Sequence, residues 1–300
     1  MTLLSGGVGG ARLARGFERL AGAQTTVVVN VGDDAITHSL AVSPDIDTVL
    51  YTLAGMEGPQ GWGRSQDTFT TNSELGRFGL DNTFKLGDKD LALKIARTDA
   101  LASGDDLSTF TDSIRKSLDI DTRVLPVSND TIRTRIRTED DDWISFQEYF
   151  VRRRHSDRVL EVRYEGAADA DPAPGVVDAI ESAQLLVIGP SNPPLSIWPI
   201  LEVPGVRKAV ERHPKTIAVS PLVGGKAVKG PVVELMASLG LPPGSRGVVA
   251  AYEGLIHRLV VNNEDLEWWA DHGDVELTGA QTLIKDPEAA RLLAETLSGF

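Results

Sequence analysis

The sequence contains no cysteine, no long apolar run and fewer basic than acidic residues. The absence of cysteine excludes disulfide bonds, thiolate metal sites and a cysteine nucleophile. No stretch of about 18 consecutive apolar residues occurs, so we expect neither a membrane-spanning helix nor a secretory signal. We therefore predict a cytoplasmic protein that has no membrane partner.

The charge balance is strongly acidic, with 30 lysines and arginines against 43 aspartates and glutamates, a formal net charge of −13. A surface of this sign repels nucleic acids and anionic membranes, so we expect no nucleic-acid partner. Any phosphate site must then be local. With 300 residues and 41% hydrophobic content the chain can bury a sizeable core, and we predict a single α/β domain over residues 1–300.

The first 16 residues, MTLLSGGVGGARLARG, indicate a strand, a glycine-rich turn and a helix from about residue 11 to 21. The glycines of the turn are Gly6, Gly7, Gly9 and Gly10. Glycine backbones can approach a ligand closely, and the free N–H groups of a helix start favour anions such as phosphate. The dinucleotide fingerprint fails because Arg12 stands where its third glycine belongs. A tight turn without any ligand is the alternative interpretation.

Two groups of aspartates follow the next strand, which we predict over residues 25–31. Asp33 and Asp34 come directly after it, at the edge where open parallel sheets bind ligands. They could bind a ribose, hold a divalent cation or cap a turn. Asp45 and Asp47 then open a helix after Pro44. Capping explains one of these aspartates, whereas two beside a phosphate loop indicate chemistry.

Residues 55–79 are rich in small polar residues and carry Trp62 and Phe69, which is typical of a loop or lid over a planar ligand. Packing beneath a long loop is the alternative role for these aromatic side chains. Lys85 stands just before a predicted helix whose N-cap we assign to Asp88. A further helix is predicted over residues 107–118.

Residues 122–166 change character, and we predict an inserted antiparallel subdomain with strands near 123–127, 131–137 and 157–164 and a turn at 140–142. Strand patterns resume at residues 184–190 and 216–221. The first leads into a rigid Ser-Asn-Pro-Pro turn at 191–194, and the second into a glycine and lysine loop at 223–231. We predict a last strand pair at 247–252 and 259–261, with helices near residues 263 and 286.

Four motifs together resemble the 2-phospho-L-lactate transferase family of coenzyme F-420 biosynthesis, which includes phosphoenolpyruvate transferases. They are SGGVGGARL at 5–13, SPDIDTVLY at 43–51, KLGDKD at 85–90 and IGPSNP at 188–193, in the family's order across nearly the whole chain. The resemblance implies a modified Rossmann-like, mostly parallel sheet flanked by helices, with a small α+β insertion. It also implies a homodimer.

The activity that the resemblance implies is transfer of a phospholactyl or phosphoenolpyruvyl group from a guanosine diphosphate-linked donor to the terminal ribityl hydroxyl of the deazaflavin Fo. GMP is released, and the implied cofactor is Mg²⁺. By the same resemblance, Asp47 and Lys85 contact Fo. This chemistry requires positioning and charge neutralisation more than covalent catalysis.

The candidate site residues divide by role. We assign the donor's phosphates to Gly7, Gly9, Gly10, Ser191 and Asn192, and the metal to Asp33, Asp34 and Asp45. Asp45 or Asp47 orients or deprotonates the attacking hydroxyl, and Trp62 covers the deazaflavin ring.

Two other functions fit parts of the pattern. An NAD(P)-dependent oxidoreductase fits the order of strand, glycine turn, helix, strand and aspartate, although the missing third glycine argues against it. A non-catalytic nucleotide-binding regulator on the same scaffold is the second alternative, because a fold does not determine a function.

Overall fold

A computed structural model describes residues 1–20, 22, 24–140, 143–268 and 274–300. Its strands are β1 Thr2–Ser5, β2 Thr26–Val29, β3 Ala35–Thr37, β4 Leu40–Val42, β5 Arg123–Pro126, β6 Arg133–Thr138, β7 Trp143–Ser145, β8 Val159–Glu165, β9 Leu186–Ile188, β10 Thr216–Val219, β11 Leu222–Val223, β12 Lys226–Ala227, β13 Arg258–Asn262 and β14 Glu276–Ala280. Its α-helices are α1 Gly7–Glu18, α2 Pro44–Leu53, α3 Thr70–Arg77, α4 Asp88–Ala102, α5 Leu107–Ser117, α6 Val176–Glu181, α7 Trp198–Leu201, α8 Val206–Arg212, α9 Val232–Ser238, α10 Ser245–Ala251 and α11 Pro287–Ser298.

The main sheet has seven strands in the order β14-β13-β10-β9-β1-β2-β5, and all its pairings are parallel. Its central strands are short apolar runs buried on both faces, such as Val27, Val28 and Val29 in β2. Helix α1 packs against both α2 and α11 and buries Leu13 and Phe17. The predicted fold, a mostly parallel sheet flanked by helices, is confirmed.

The strand order explains where a site can form. Strands β9, β1 and β2 are neighbours, so the loops after their carboxyl ends meet at one edge of the sheet. The loop after β1 leads into α1, that after β2 contains Asp33 and Asp34, and that after β9 contains Ser191 and Asn192. Three of the segments that we predicted to be functional therefore converge.

The insertion is smaller than predicted. Its antiparallel sheet has the order β7-β6-β8 and spans Arg133 to Glu165. Strand β5, which we predicted to belong to it, instead pairs in parallel with β2 at the edge of the main sheet. A small separate core supports the insertion, formed by Ile136, Ile144, Tyr149, Val159, Leu195 and Leu235. Of the predicted turn at 140–142, residues 141 and 142 lie outside the described residues.

Several predictions of individual helices, strands and loops were wrong. Residues 247–251 lie in helix α10 rather than in a strand, because a short apolar run fits a buried helix as well as a buried strand, and Tyr252 follows the end of this helix. The predicted loop at 55–79 contains helix α3. Helix α1 begins at Gly7 rather than at residue 11, and the helix near residue 263 is a 3₁₀-helix, Asn263–Trp268. No described helix is long and apolar enough to cross a membrane.

Candidate functional site

The glycine-rich turn is the first turn of α1. The backbone of Gly6 is extended, with φ −138°, and the helix begins at Gly7, which has φ +62°. A positive φ of this size favours glycine. The amides of Val8 and Gly9 lie in the first helical turn, where helix geometry provides no intrahelical acceptor. The predicted anion-binding feature is thus a helix N-terminus rather than an extended loop.

Close packing explains why the other glycines lack side chains. A Cβ at Gly9 would lie 2.3 Å from the carbonyl oxygen of Pro190, and a Cβ at Gly10 would lie 2.2 Å from Oγ of Ser5. A Cβ at Gly6 would lie 2.5 Å from Cβ of Ser196. These glycines let α1 approach the ends of β1 and β9 closely, a requirement that is independent of any ligand.

Asp45 connects the starts of two helices. It lies in the first turn of α2, where its Oδ1 accepts a hydrogen bond from the amide of Gly7 at 2.8 Å. Its Oδ2 accepts from Nδ2 of Asn30 at 2.9 Å. Burial raises the pKa of Asp45 to about 6, even though the hydrogen bonds from Asn30 and Gly7 act to lower this pKa. A carboxylate with this pKa is ionised at neutral pH and can still accept a proton.

Asp33 and Asp34 lie beside it and form, together with Asp45, what we call the acidic cluster. Burial raises the pKa of Asp33 well above its usual value, and the negative charges of Asp45 and Asp34 raise it further. Burial also raises the pKa of Asp34 to about 7, although the hydroxyl of Ser43 donates to its Oδ2 at 2.7 Å. The cluster therefore concentrates negative charge where little solvent compensates it.

The acidic cluster fits a hard cation in its chemistry but not as a set of three carboxylate ligands. Within the described ranges, no group of three or more histidine, aspartate or glutamate side chains is placed to hold a metal ion. Both oxygens of Asp45 already accept hydrogen bonds. By contrast, Oδ1 of Asp33 and Oδ1 of Asp34 are buried and accept no hydrogen bond from any described residue. Carboxylate oxygens of this kind suit Mg²⁺.

Asp47 has a different environment, because two basic side chains neutralise it. Arg97 donates to both its oxygens, and Nζ of Lys94 lies 2.8 Å from Oδ2. Burial alone would raise the pKa of Asp47, but Arg97 and Lys94 outweigh burial and hold this pKa below its usual value. Lys94 also pairs with Asp90, which accepts a hydrogen bond from Tyr51 at 2.6 Å. We call these five residues the buried ion network.

The predicted Fo contacts other than Asp47 lie at the surface. Lys85 is exposed, and Trp62 retains 46% of its accessible area. Phe69, Phe78 and Leu80 are also exposed, at 44%, 75% and 51%, all within the segment between α2 and α4. This segment thus presents an apolar surface, which is what a lid over a planar ring requires.

Two aspartates cap the helices of this segment in a crossed arrangement. We predicted that Asp88 caps its own helix, and this prediction was wrong. Asp88 instead accepts hydrogen bonds from the amides of Thr70 and Thr71 at the start of α3. Asp67 accepts from the amides of Lys89 and Asp90 at the start of α4. Each carboxylate therefore fixes the other helix, which gives the segment a defined shape.

Ser191 and Asn192 connect the β9 loop to its surroundings. The hydroxyl of Ser191 donates to the carbonyl of Gly6 at 2.6 Å and accepts from the Gly6 amide at 3.2 Å. Oδ1 of Asn192 accepts from the amide of Leu195 at 3.2 Å, which caps a short π-helix, Pro193–Ile197. The structure brings Ser191 next to the glycine turn, whereas Asn192 accepts hydrogen bonds from the amides of Leu195 and Ser196 in its own loop. The Ser191 hydroxyl also has a structural role at the glycine turn.

The insertion and the second glycine loop surround the same edge of the sheet. Gln147 donates to the backbone carbonyl of Asp33 at 3.3 Å, and Arg152 pairs with Asp81 of the segment between α2 and α4. Lys229 donates to the carbonyl of Gln60. The amides of the second glycine loop, at Gly224 and Gly225, donate to the carboxylate of Asp265. This loop therefore binds an internal anion.

Several residues that shape the site were not predicted from the sequence. Asn30, Thr134, Gln147, Lys94 and Arg97 contact or adjoin the predicted aspartates. Only Asn30 carried a local signal, since it lies near the end of the predicted strand, three residues before Asp33. The other four come from α4 and the insertion, where helical or alternating patterns resemble solvated surfaces.

A surface groove lies elsewhere. It has a volume of about 320 Å³ and is formed by α11 and the residues before it, including Leu283, Leu292 and Thr296. None of the predicted site residues lines it. Asp33 and Asp45 of the acidic cluster are instead buried, at 6% and 7% exposure.

The chain is similar to known proteins over its whole length. A sequence model of the family described as 2-phospho-L-lactate transferase CofD matches residues 1–291. The 2-phospho-L-lactate transferase of Methanocaldococcus jannaschii is 38% identical over 305 aligned residues, covering 100% of this chain and 97% of that protein. The phosphoenolpyruvate transferase of Streptomyces griseus is 40% identical over 273 residues, covering 88% of this chain and 86% of that protein.

A solved structure has the same fold. A protein of the UPF0052 family from Bacillus halodurans superimposes with a TM-score of 0.66 at 17% sequence identity, covering 99% of this chain and 98% of that chain. At this level of identity the likeness concerns the fold alone. It supports the arrangement of sheet and helices described above.

Proposed function

Because the chain belongs to the 2-phospho-L-lactate transferase CofD family, we propose that this transferase moves a phospholactyl or phosphoenolpyruvyl group onto the deazaflavin Fo. The donor is linked to guanosine diphosphate, the acceptor is the terminal ribityl hydroxyl, and GMP is released in coenzyme F-420 biosynthesis. The observation that carries the proposal is the buried carboxylate of Asp45, held between Gly7 and Asn30 beside two further aspartates.

In the proposed reaction the ribityl oxygen forms a bond to the phosphorus that bears the lactyl or enolpyruvyl group. The bond from this phosphorus to the bridging oxygen breaks, and that oxygen leaves with GMP. The hydroxyl proton passes to Asp45, whose pKa of about 6 suits a general base near neutral pH. Asp47 is the weaker candidate for the base, because Arg97 and Lys94 already neutralise it.

The remaining residues bind and position the substrates. The free amides in the first turn of α1, at Val8 and Gly9, favour the donor's phosphates, with Gly7, Gly10, Ser191 and Asn192 shaping this end of the site. Lys85 and Asp47 are the proposed Fo contacts, and Trp62 covers the ring. Mg²⁺, held by Asp33 and Asp34 beside Asp45, would supply positive charge against the diphosphate. A cytoplasmic homodimer completes the proposal.

A product assay tests this function. The purified protein is mixed with Fo, Mg²⁺ and either the lactyl or the enolpyruvyl donor, and the products are read by mass spectrometry. A new deazaflavin phosphodiester together with GMP is expected from at least one donor. Binding of Fo without a product from either donor would favour the regulator, and hydride transfer from NAD(P)H would favour the oxidoreductase.

A further inference from the structure

Four side-chain oxygens around Asp33 are buried and form no well-placed hydrogen bond with a described residue, and the Thr134 hydroxyl lies close enough to Asp33 to act to lower the pKa of that carboxyl. The four oxygens are Oδ1 of Asp33, Oδ1 of Asp34, Oγ1 of Thr134 and Oε1 of Gln147. Buried polar atoms in folded proteins are nearly always paired, so each exception requires an explanation. Here the exceptions come from two different parts of the chain, the turn after β2 and the inserted subdomain.

Backbone contacts hold the insertion against this turn. The amide of Thr134 donates to the carbonyl of Gly32 at 2.7 Å, and Nε2 of Gln147 donates to the carbonyl of Asp33 at 3.3 Å. Thr134 is only 1% exposed, and its Oγ1 lies 2.6 Å from the point where a Cβ on Gly32 would stand. A side chain at position 32 would therefore collide with this hydroxyl. Both residues are fixed beside the acidic cluster.

We propose that Thr134 and Gln147 of the insertion complete, with Asp33 and Asp34, an all-oxygen site for a divalent cation. This inference rests on the proposed function, because transfer from a diphosphate is the reaction that needs the cation. Two carboxylates, a hydroxyl and an amide oxygen are hard ligands of the type that Mg²⁺ prefers. The neutral oxygens add ligands without adding negative charge.

The ligand set explains why three carboxylates do not converge. Asp45 accepts hydrogen bonds from Gly7 and Asn30 and is not one of the proposed metal ligands, so its role is to act on the substrate hydroxyl beside the metal. The insertion then supplies the ligands that Asp45 does not provide. On this account the inserted subdomain is part of the reaction centre and does more than cover it.

Strand β6 offers a matched control. Thr138 lies four residues after Thr134, on the same face of the strand, and is likewise fully buried with an unpartnered hydroxyl among the described residues. Its register partner is Val159 in β8, away from the acidic cluster. Thr134→Val and Thr138→Val therefore remove the same atom from the same strand, and only the first removes a proposed ligand.

The test is titration of the full-length protein with Mn²⁺ alone, followed by the electron paramagnetic resonance signal of the free ion. The wild type and Thr138→Val are expected to bind one Mn²⁺ with equal affinity, and Thr134→Val about tenfold more weakly. The rise in thermal unfolding temperature caused by Mn²⁺ should shrink in Thr134→Val in parallel. Gln147→Met, which keeps the length of the side chain, should weaken binding as well.

Several results would overturn the inference. Equal Mn²⁺ affinity in the wild type, Thr134→Val and Gln147→Met would show that buried waters satisfy the four oxygens. The absence of Mn²⁺ binding to the wild type, with or without added GDP, would exclude the site altogether. Failure of the proposed function can be told apart from failure of this inference. The Mn²⁺ titration measures the cation site without turnover, and the product assay measures the function with the wild type alone.

Discussion

The carboxylate of Asp45 accepts the amide hydrogen of Gly7 at 2.8 Å, which joins the first turn of α2 to the first turn of α1. Two positive helix ends therefore meet at one buried negative charge. The same contact places Asp45 beside the amides that are proposed to hold the donor's phosphates. The glycines nearby allow the two helix starts to approach each other, and the other two aspartates of the acidic cluster lie beside Asp45.

Gly9→Ala should destabilise the protein because a Cβ at this position meets the carbonyl oxygen of Pro190 at 2.3 Å. The free energy of unfolding is expected to fall by about 1–3 kcal/mol, measured by urea denaturation. Gly76→Ala in α3 is the control, since a Cβ there meets only the end of the exposed Asn82 side chain, which can rotate away. If both variants behave alike, close packing does not explain the glycine at position 9.

Arg97→Met should be among the most damaging single changes. Arg97 is fully buried and donates to both oxygens of Asp47, so its loss leaves a buried carboxylate with Lys94 as the remaining partner. We expect a loss of roughly 3–5 kcal/mol in the free energy of unfolding. Arg291→Met, which removes two surface ion pairs on α11, should have little effect.

A double variant tests whether the uncompensated charge causes this loss. Arg97→Met combined with Asp47→Asn should be more stable than Arg97→Met alone, because the second change removes the negative charge. If the two losses simply add, the damage comes from lost packing around Arg97 and not from electrostatics.

Stability in the absence of divalent cations should fall as the pH rises from about 5 to 8. Asp45 and Asp34 have pKa values raised to about 6 and about 7, so the folded protein binds their protons more tightly than the unfolded chain. The stabilisation is present in acid and is lost as the pH rises through these values. Each unit of difference is worth about 1.4 kcal/mol, so a decrease of a few kcal/mol is expected.

The measurement is urea denaturation in EDTA at several pH values. Asp34→Asn should flatten the dependence, since one of the groups with a raised pKa is then absent. The pKa of Asp47 is lowered, so its contribution is lost only in stronger acid, below this range. A wild-type stability that stays constant or rises between pH 5 and 8 would contradict the account.

Much of the fold and part of the site could be predicted from local patterns. The β-branched run that became β2 and the glycine turn before α1 indicated a parallel sheet, and Asp33, Asp34 and Asp45 indicated an acidic site at its edge. These signals are local, because strand runs, helix starts and neighbouring aspartates each lie within a few residues. The sheet order then brings them together.

The buried ion network could not be predicted in this way. Its basic members, Lys94 and Arg97, lie more than 40 residues after Asp47 on a helix whose charged side chains resemble a solvated face. Thr134 belongs to a strand of alternating arginines that gives no sign of a neighbouring aspartate. In both cases the tertiary contact determines the role of the residue, and the sequence pattern shows only that the residue is polar.

The proposed role of Asp45 is to accept the proton of the attacking hydroxyl. Its most direct test is a single-turnover comparison of the wild type, Asp45→Asn and the exposed control Asp99→Asn, each with Fo, donor and Mg²⁺. We expect unchanged binding of Fo and GDP in all three proteins, with the rate of product formation lowered about 10²–10⁴-fold in Asp45→Asn alone. Wild-type turnover by Asp45→Asn would contradict the proposed role.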